Sequence, residues 1–162
     1  MTLPALEVRR VAYTDPLVVP MLTELSYEYW TRYRHTLGDI AEEMRSRPVE
    51  FGPPDGGLLL LLADGEPVAG GAFRRYDGRT AELKRIWTHS AHRRRGLARR
   101  VLVELEREIT ARGYRRIYLT TGPRQPEAKG LYLATGYTPL YDPELPPEQI
   151  GKHPFEKELQ LP

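Results

Sequence analysis

The sequence predicts an α+β domain on a mixed, mostly antiparallel sheet, and three observations carry that expectation. Extended apolar runs between Leu58 and Thr88 are separated by Asp64-Gly65 and Asp77-Gly78, dipeptides that favour hairpin turns because both residues tolerate positive φ. A strongly amphipathic segment, Gly96–Arg112, follows directly. Another extended run, Arg115–Thr121, comes next, and such a strand-helix-strand unit pairs in parallel with a right-handed connection. At 162 residues the chain has the length of one domain, 1–162, and 40% hydrophobic with 28% charged residues supports a buried core.

The elements follow in order. Glu7–Tyr13 reads as a short strand. Asp15-Pro16 then starts a helix, with Asp as the cap and Pro at the first helical position. Val18, Met21, Leu22, Leu25 and Tyr29 give that helix one apolar face. A weaker helical piece covers Asp39–Arg45, and Pro48–Gly57 is loop. Leu58–Ala63, Glu66–Arg75 and Thr80–Thr88 form an antiparallel meander. The helix Gly96–Arg112 buries Leu97, Ala98, Val101, Leu102, Leu105 and Ile109, and Gly113 closes it. After the strand Arg115–Thr121, Pro126–Thr135 is a helix opened by Pro and ended by Gly136. Tyr137–Tyr141 and Phe155–Leu161 are the last strands, joined by the proline-bearing loop Asp142–Pro154.

Composition excludes several chemistries. With no cysteine there is no disulfide scaffold, thiolate nucleophile or cysteine zinc site. The longest leucine run is Leu58–Leu62, far short of a membrane span. The N-terminal MTLPALEVRR is charged too soon for a signal peptide, so a cytosolic setting is expected. A net charge of +2 argues against a general nucleic-acid binder. His89 and His92 lack a third ligand or a carboxylate, so no metal site is expected.

The charge is nevertheless uneven, because five arginines crowd into His92–Arg100. Arg93, Arg94, Arg95, Arg99 and Arg100 surround a helix N-terminus, where the macrodipole is already positive and each like charge costs about 0.3–1 kcal/mol. A bound anion removes the conflict, since free amides, dipole and guanidinium forks then point at one ligand. Gly96 lets that ligand approach the backbone. Phosphate is the natural candidate, yet neither G-x-x-x-x-G-K-[ST] nor G-x-G-x-x-G after a strand is present.

Arg93-Arg94-Arg95-Gly96-Leu97-Ala98, between a strand and a helix, resembles the [QR]-x-x-G-x-[GA] hallmark of the GNAT N-acetyltransferase superfamily. Gln125, Ala128, Leu131, Tyr132, Gly136 and Tyr137 resemble its second motif, Asn-x-x-Ala-x-x-Leu-Tyr-x-x-x-Gly-[FY]. The likeness covers Leu58 to Leu140 and is closest to small bacterial members with ELKR (Glu82–Arg85) and RQPEA (Arg124–Ala128). It implies a twisted sheet that splays at its central parallel pair, helices on both faces, and acetyl-CoA as acyl donor. It also implies that the backbone of Ile86, Trp87 and Thr88 pairs with the pantetheine arm. The loop Arg93, Arg94, Arg95, Gly96, Leu97, Ala98 and Arg99 would cradle the pyrophosphate, with Gln125 nearby. A strand amide near Ile86 would donate to the thioester oxygen, worth about 3–4 kcal/mol as charge develops there.

Acetyl transfer to an amine needs a neutral nucleophile, and an alkylamine near neutral pH falls short by about 4 kcal/mol. Glu82 is the candidate base: four residues before Ile86 in the motif strand, it is expected on the same face. Many relatives carry a carboxylate at the position of Thr120, and its absence leaves Glu82 or water. Tyr132 matches the tyrosine that protonates the leaving sulfur, although full transfer from a phenol to a thiolate is uphill by about 2 kcal/mol. Tyr27, Tyr29, Trp30 and Tyr33 mark the acceptor side or fill core, and Asp142–Pro154 is either a substrate wall or a surface connection. The expected partners are acetyl-CoA and an amine acceptor, without nucleic acid or membrane. A homodimer is in keeping with the family. The alternative is an inactive module that binds acyl-CoA.

Overall fold

Leu58–Leu62 shows why periodicity alone is mute in the middle of this chain. Leu59 and Leu61 pack into one hydrophobic cluster, Leu58, Leu60 and Leu62 into another, so one strand is buried on both faces. The computed structural model describes residues 5–34, 40, 42–44 and 48–160. Its sheet has seven strands: β1 (Leu6–Arg10), β2 (Gly57–Ala63), β3 (Glu66–Arg75), β4 (Thr80–Thr88), β5 (Arg116–Thr121), β6 (Thr138–Pro139) and β7 (His153–Glu158). They lie in the order β1-β2-β3-β4-β5-β7-β6, with every pair antiparallel except β4–β5. Helix α1 (Val19–Tyr33) covers one face, while α2 (Leu97–Ala111) and α3 (Pro126–Ala134) cover the other. The expected mixed sheet, parallel pair and two helical layers are all present.

Local chemistry sets the ends of the elements. Asp15 accepts a 2.8 Å bond from the Leu17 amide and caps a 3-10 turn, Pro16–Val18, that runs into α1. Asp64 and Gly65 both take positive φ (50° and 81°), as a tight β2–β3 hairpin requires. Asp77-Gly78 does not repeat that geometry. Asp77 Oδ1 accepts from the Arg79 and Thr80 amides, at 2.8 and 2.9 Å, so a longer loop over 76–79 replaces the two-residue turn.

Other expected boundaries shift. β1 stops at Arg10, and Tyr13 instead stacks on Phe51 at 5.0 Å. β6 shrinks to Thr138–Pro139 because Pro139 has no amide to donate, and β7 begins at His153. Of the expected helical piece at 39–45, residues 40 and 42–44 are helical, with Ile40 and Met44 buried with α1, while 39, 41 and 45 lie outside the described residues. Asp142–Pro154 holds one short exposed helix, α4 (Pro147–Ile150). Among the described residues no helix is long and apolar enough to cross a membrane.

The small run Ala69–Ala72 lets the layers approach closely. A Cβ on Gly70 would meet Met21 Cε at 2.9 Å, and one on Gly71 would meet Ile86 Cδ1 at 2.6 Å and Leu105 Cδ1 at 2.8 Å. Missing side chains let α1 and α2 press onto opposite faces of the same strand.

Candidate active site

β4 and β5 pair at three positions only: Thr80 with Arg116, Ala81 with Ile117 and Glu82 with Tyr118. Beyond these, β4 stays with β3 as far as Thr88, and β5 stays with β7 as far as Thr121. The two strands therefore part, and a cavity of about 560 Å³ opens between them. Its walls come from β4 (Leu83–Thr88), the α2 N-terminus, β5 (Thr120 and Thr121), α3 and the inner flank of α1.

A bulge in β4 decides which side chains reach each side. Ala72 opposes Lys84 and Gly70 opposes Trp87, so Arg85 and Ile86 together face Gly71, and Arg85 takes a φ of 60°. The extra residue inverts the alternation. Ile86 packs with Ala81 and Leu83 on the α2 face, whereas Trp87 packs on the α1 face. The expectation that Glu82 and Ile86 share a face is therefore corrected: a four-residue spacing keeps one face only in an unbroken strand. Glu82 is buried, accepts a 2.9 Å bond from Arg74 Nε and is not part of the cavity wall.

At the α2 end the loop is shaped for an anion. Arg94 (φ 65°) and Gly96 (φ 74°) are left-handed, so the loop turns sharply into the helix. Arg100 is the first residue whose amide bonds back, to the Gly96 carbonyl at 3.2 Å, leaving the amides of Leu97, Ala98 and Arg99 without a helical acceptor. Arg100 pairs with Glu104 at 2.9 Å and Arg95 contacts His92 Nδ1 at 3.1 Å. Arg93, Arg94 and Arg99 line the cavity and form no salt bridge among the described residues.

Deeper in, Tyr132 is 5% exposed and packs edge-on to Tyr137 at 5.5 Å, yet it borders the cavity. Burial, and secondarily Tyr29, pushes its phenol well above the ordinary tyrosine range, so the hydroxyl stays protonated and keeps a proton to donate. No described residue accepts from it. Of the aromatic cluster on α1, Tyr29 lines the cavity while Tyr27 is 64% exposed and leans on Trp30. Tyr33 braces the segment before α3: its hydroxyl accepts from the Arg124 amide at 3.1 Å and donates to Gln125 Oε1 at 3.3 Å.

The carboxylates of the wall are all engaged. Glu24 accepts from Trp87 Nε1 (2.9 Å), the Ser90 amide (3.0 Å) and Ser90 Oγ (2.5 Å). Burial alone would raise its pKa, but the bonds from Ser90 and Trp87 outweigh burial and hold it below the usual carboxylate range. Glu127 binds Arg32 in a fork, 2.9 Å on each arm, and Glu28 meets the same guanidinium at 3.3 Å. That ion-pair cluster ties α1 to α3 across the opening.

The structure thus brings Ile86, Trp87, Thr88, Arg93, Arg94, Gly96, Leu97, Ala98, Arg99, Gln125 and Tyr132 onto one cavity, and leaves Arg95 and Glu82 off it. The Trp87 indole donates to Glu24, another residue of the wall. Gln125 Oε1 is occupied by the Gly122 amide at 2.9 Å and so shapes the rim. None of residues 142–154 reaches the cavity, which makes that loop a surface connection. Sequence reasoning missed Glu24, Arg32 and the cavity-facing Lys84 and Arg85. The first two lie on the polar flank of an amphipathic helix and carry no local signal, and the bulge that redirects Arg85 has none either.

Comparison with known proteins agrees with this architecture. Residues 19–137 match the acetyltransferase (GNAT) family. The uncharacterized N-acetyltransferase YsnE of Bacillus subtilis (strain 168) is 36% identical over 77 residues, or 46% of this chain and about half (51%) of that relative. An acetyltransferase from Thermus thermophilus superposes with a TM-score of 0.72 at 22% identity, covering 98% of this chain and 100% of that one. The PaiA N-acetyltransferase of Thermoplasma acidophilum, solved in complex with coenzyme A, superposes with a TM-score of 0.74 at 15% identity, covering 95% and 99%. With the hallmark loop at the mouth of the strand divergence and the family match spanning most of its length, the chain belongs to the acetyltransferase (GNAT) family.

Proposed function

We propose that the protein moves the acetyl group of acetyl-CoA directly to a primary amine of a small molecule or peptide in the cytosol. The supporting observation is the cavity that joins an anion-ready helix N-terminus to the Tyr132 hydroxyl through the gap between β4 and β5. In this scheme the amides of Leu97–Arg99, with Arg93, Arg94 and Arg99, take the pyrophosphate. The edge of β4 at Ile86–Thr88, which has no β5 partner, takes the pantetheine arm. The amine nitrogen attacks the thioester carbon, forming the C–N bond. The C–S bond then breaks with its electron pair on sulfur, and Tyr132 donates a hydrogen bond to that sulfur. Holding both reactants in one cavity supplies much of the rate.

The amine must also lose a proton. Glu82 is tied to Arg74, and the wall carboxylates Glu24, Glu28 and Glu127 hold partners of their own. We therefore assign the proton to water rather than to Glu82. It follows that kcat/KM rises about tenfold per pH unit up to the pKa of the acceptor, and that Glu82→Gln changes kcat less than threefold. A fall above a hundredfold, with loss of an acid limb in the pH profile, would restore Glu82 as the base.

A second reading, a module that holds acyl-CoA without transferring it, is favoured by Thr120 in the wall where many relatives carry a carboxylate. Thermal melts with acetyl-CoA, paired with thiol release in the presence of pooled amines, separate the two. Saturation at one hundred times Kd adds about 2.7 kcal/mol, a rise of roughly 5–10 °C. A shift with thiol release supports the enzyme, and a shift without release at any pH from 6 to 9 supports the module. No shift at millimolar acetyl-CoA overturns both.

A further inference from the structure

The β4 bulge leaves two cations on the cavity without a salt-bridge partner among the described residues. Lys84 lies opposite Ala72 on the α1 face and borders the cavity. Among the described residues it makes no hydrogen bond or salt bridge, and burial draws its pKa down, partly countered by Glu82 and, more weakly, by the exposed Glu43. Arg85 is turned onto the same face by its positive φ. Its guanidinium lies over the Phe51 ring at 5.6 Å, its Nε donates to the Tyr13 hydroxyl at 3.1 Å, and Nη2 reaches the Glu43 carbonyl at 3.5 Å. The Tyr13 hydroxyl in turn donates to the Met44 carbonyl. Those contacts fix Arg85 through neutral groups and leave its charge without a carboxylate in hydrogen-bond contact.

Two half-buried cations side by side, neither in contact with a carboxylate, are costly unless an anion completes them. The carboxylates of the surrounding strands and helix are committed: Glu82 to Arg74, Glu24 to Trp87 and Ser90, Glu28 to Arg32. The anion-ready end of the cavity is a separate feature, the α2 N-terminus with Arg93, Arg94 and Arg99. Lys84 and Arg85 sit instead on the α1 face, on the other side of the sheet from the α2 helix.

Resting on the acetyl-transfer reading, we infer that Lys84 and Arg85 form a carboxylate subsite for the acceptor, so that the acceptor is an amino acid or a similar amine that also carries a carboxylate. Lys84 supplies a mobile point charge, and Arg85 supplies the planar fork that matches a carboxylate. Together they set how far the amine lies from the thioester, and so select among acceptors by the spacing of amine and acid.

The test uses matched pairs: L-phenylalanine with phenethylamine, and 4-aminobutyrate with butylamine, each with its N-acetylated form as a binding probe. Turnover is followed by thiol release and binding by thermal shift, in the wild type, Lys84→Met and Lys84→Arg. At least one acid is expected to outperform its decarboxylated partner by about ten- to hundredfold in kcat/KM or affinity. Lys84→Met abolishes that preference, Lys84→Arg restores most of it, and acetyl-CoA affinity stays within twofold in both. Without ligand, Lys84→Met melts no lower than the wild type, because a half-buried charge without a carboxylate partner has been removed. A panel in which no acid outperforms its partner overturns the subsite, whether or not any member is turned over. So does a Lys84→Met variant that weakens acids and plain amines equally. Loss of the acetyl-CoA shift in the wild type would instead refute the donor reading.

Discussion

Glu24 holds the end of β4 to α1, and removing it should damage stability and donor binding together. Its carboxylate receives the Trp87 indole at 2.9 Å, the Ser90 amide at 3.0 Å and the Ser90 hydroxyl at 2.5 Å. The two Ser90 donors lie near solvent, and water replaces much of what they lose. Trp87 is only 4% exposed, so Glu24→Ala strands a buried N–H at a cost of about 1–3 kcal/mol. With a few tenths more from each Ser90 bond, the loss is about 2–3 kcal/mol, which lowers Tm by roughly 4–12 °C in a chain of this size. Ser90 opens the 3-10 turn Ser90–His92 that leads to Arg93 and Gly96, so loosening it should weaken acetyl-CoA binding about tenfold. Glu24→Gln keeps an acceptor for the indole and should fall between wild type and Ala. The pH dependence has a definite sign. Because the folded pKa lies below the unfolded value, the stabilisation is fully present above the unfolded carboxylate pKa of about 4.3 and disappears as pH falls through the folded value. Melts from pH 7 down to pH 3 should show wild type and Glu24→Gln converging at the acid end. A Glu24→Ala protein that melts within 2 °C of wild type at pH 7, with unchanged acetyl-CoA affinity, would refute the argument.

Three further substitutions probe separate parts of the structure. Tyr132→Phe should lower kcat about ten- to hundredfold, the worth of a hydrogen bond to a developing thiolate, while Tm moves by no more than a few degrees because the lost hydroxyl has no partner among the described residues; steady-state kinetics and a melt check both. Gly96→Glu puts a side chain where φ is 74° and adds a carboxylate beside the free amides, so the acetyl-CoA melting shift should vanish. Gly71→Ala places a methyl 2.6 Å from Ile86 Cδ1 and 2.8 Å from Leu105 Cδ1, and should cost about 1–3 kcal/mol in a denaturant titration. A neutral result there would mean that the bulge has slack.

Much of the anion-ready end of the cavity is legible in the chain because it is local. The loop from His89 to Arg99 runs continuously between a strand and a helix, and the conflict between five arginines and a helix N-terminus can be seen in the residues. The same holds for Pro126 and Gly136, which bound α3, and for Asp64-Gly65. Asp77-Gly78 shows the limit, since an identical dipeptide built a different loop once Asp77 bonded to amides ahead of it.

By itself, then, the sequence determined the order of elements, the parallel crossover and the anion-ready loop, which rest on spacing within a few residues, whereas Tyr132 stood out only through the resemblance of its helix to the family's second motif. The tertiary structure alone decided the end of the cavity beneath α1. One extra residue in β4, opposite a glycine with no side chain to resist it, put Glu82 and Ile86 on opposite faces and left Lys84 and Arg85 facing the cavity beneath α1. Arg74 then claimed Glu82, and Trp87 and Ser90 claimed Glu24. Such contests between side chains of different elements are settled by which partner packing brings within about 3 Å, a quantity that no pattern along a single strand or helix contains.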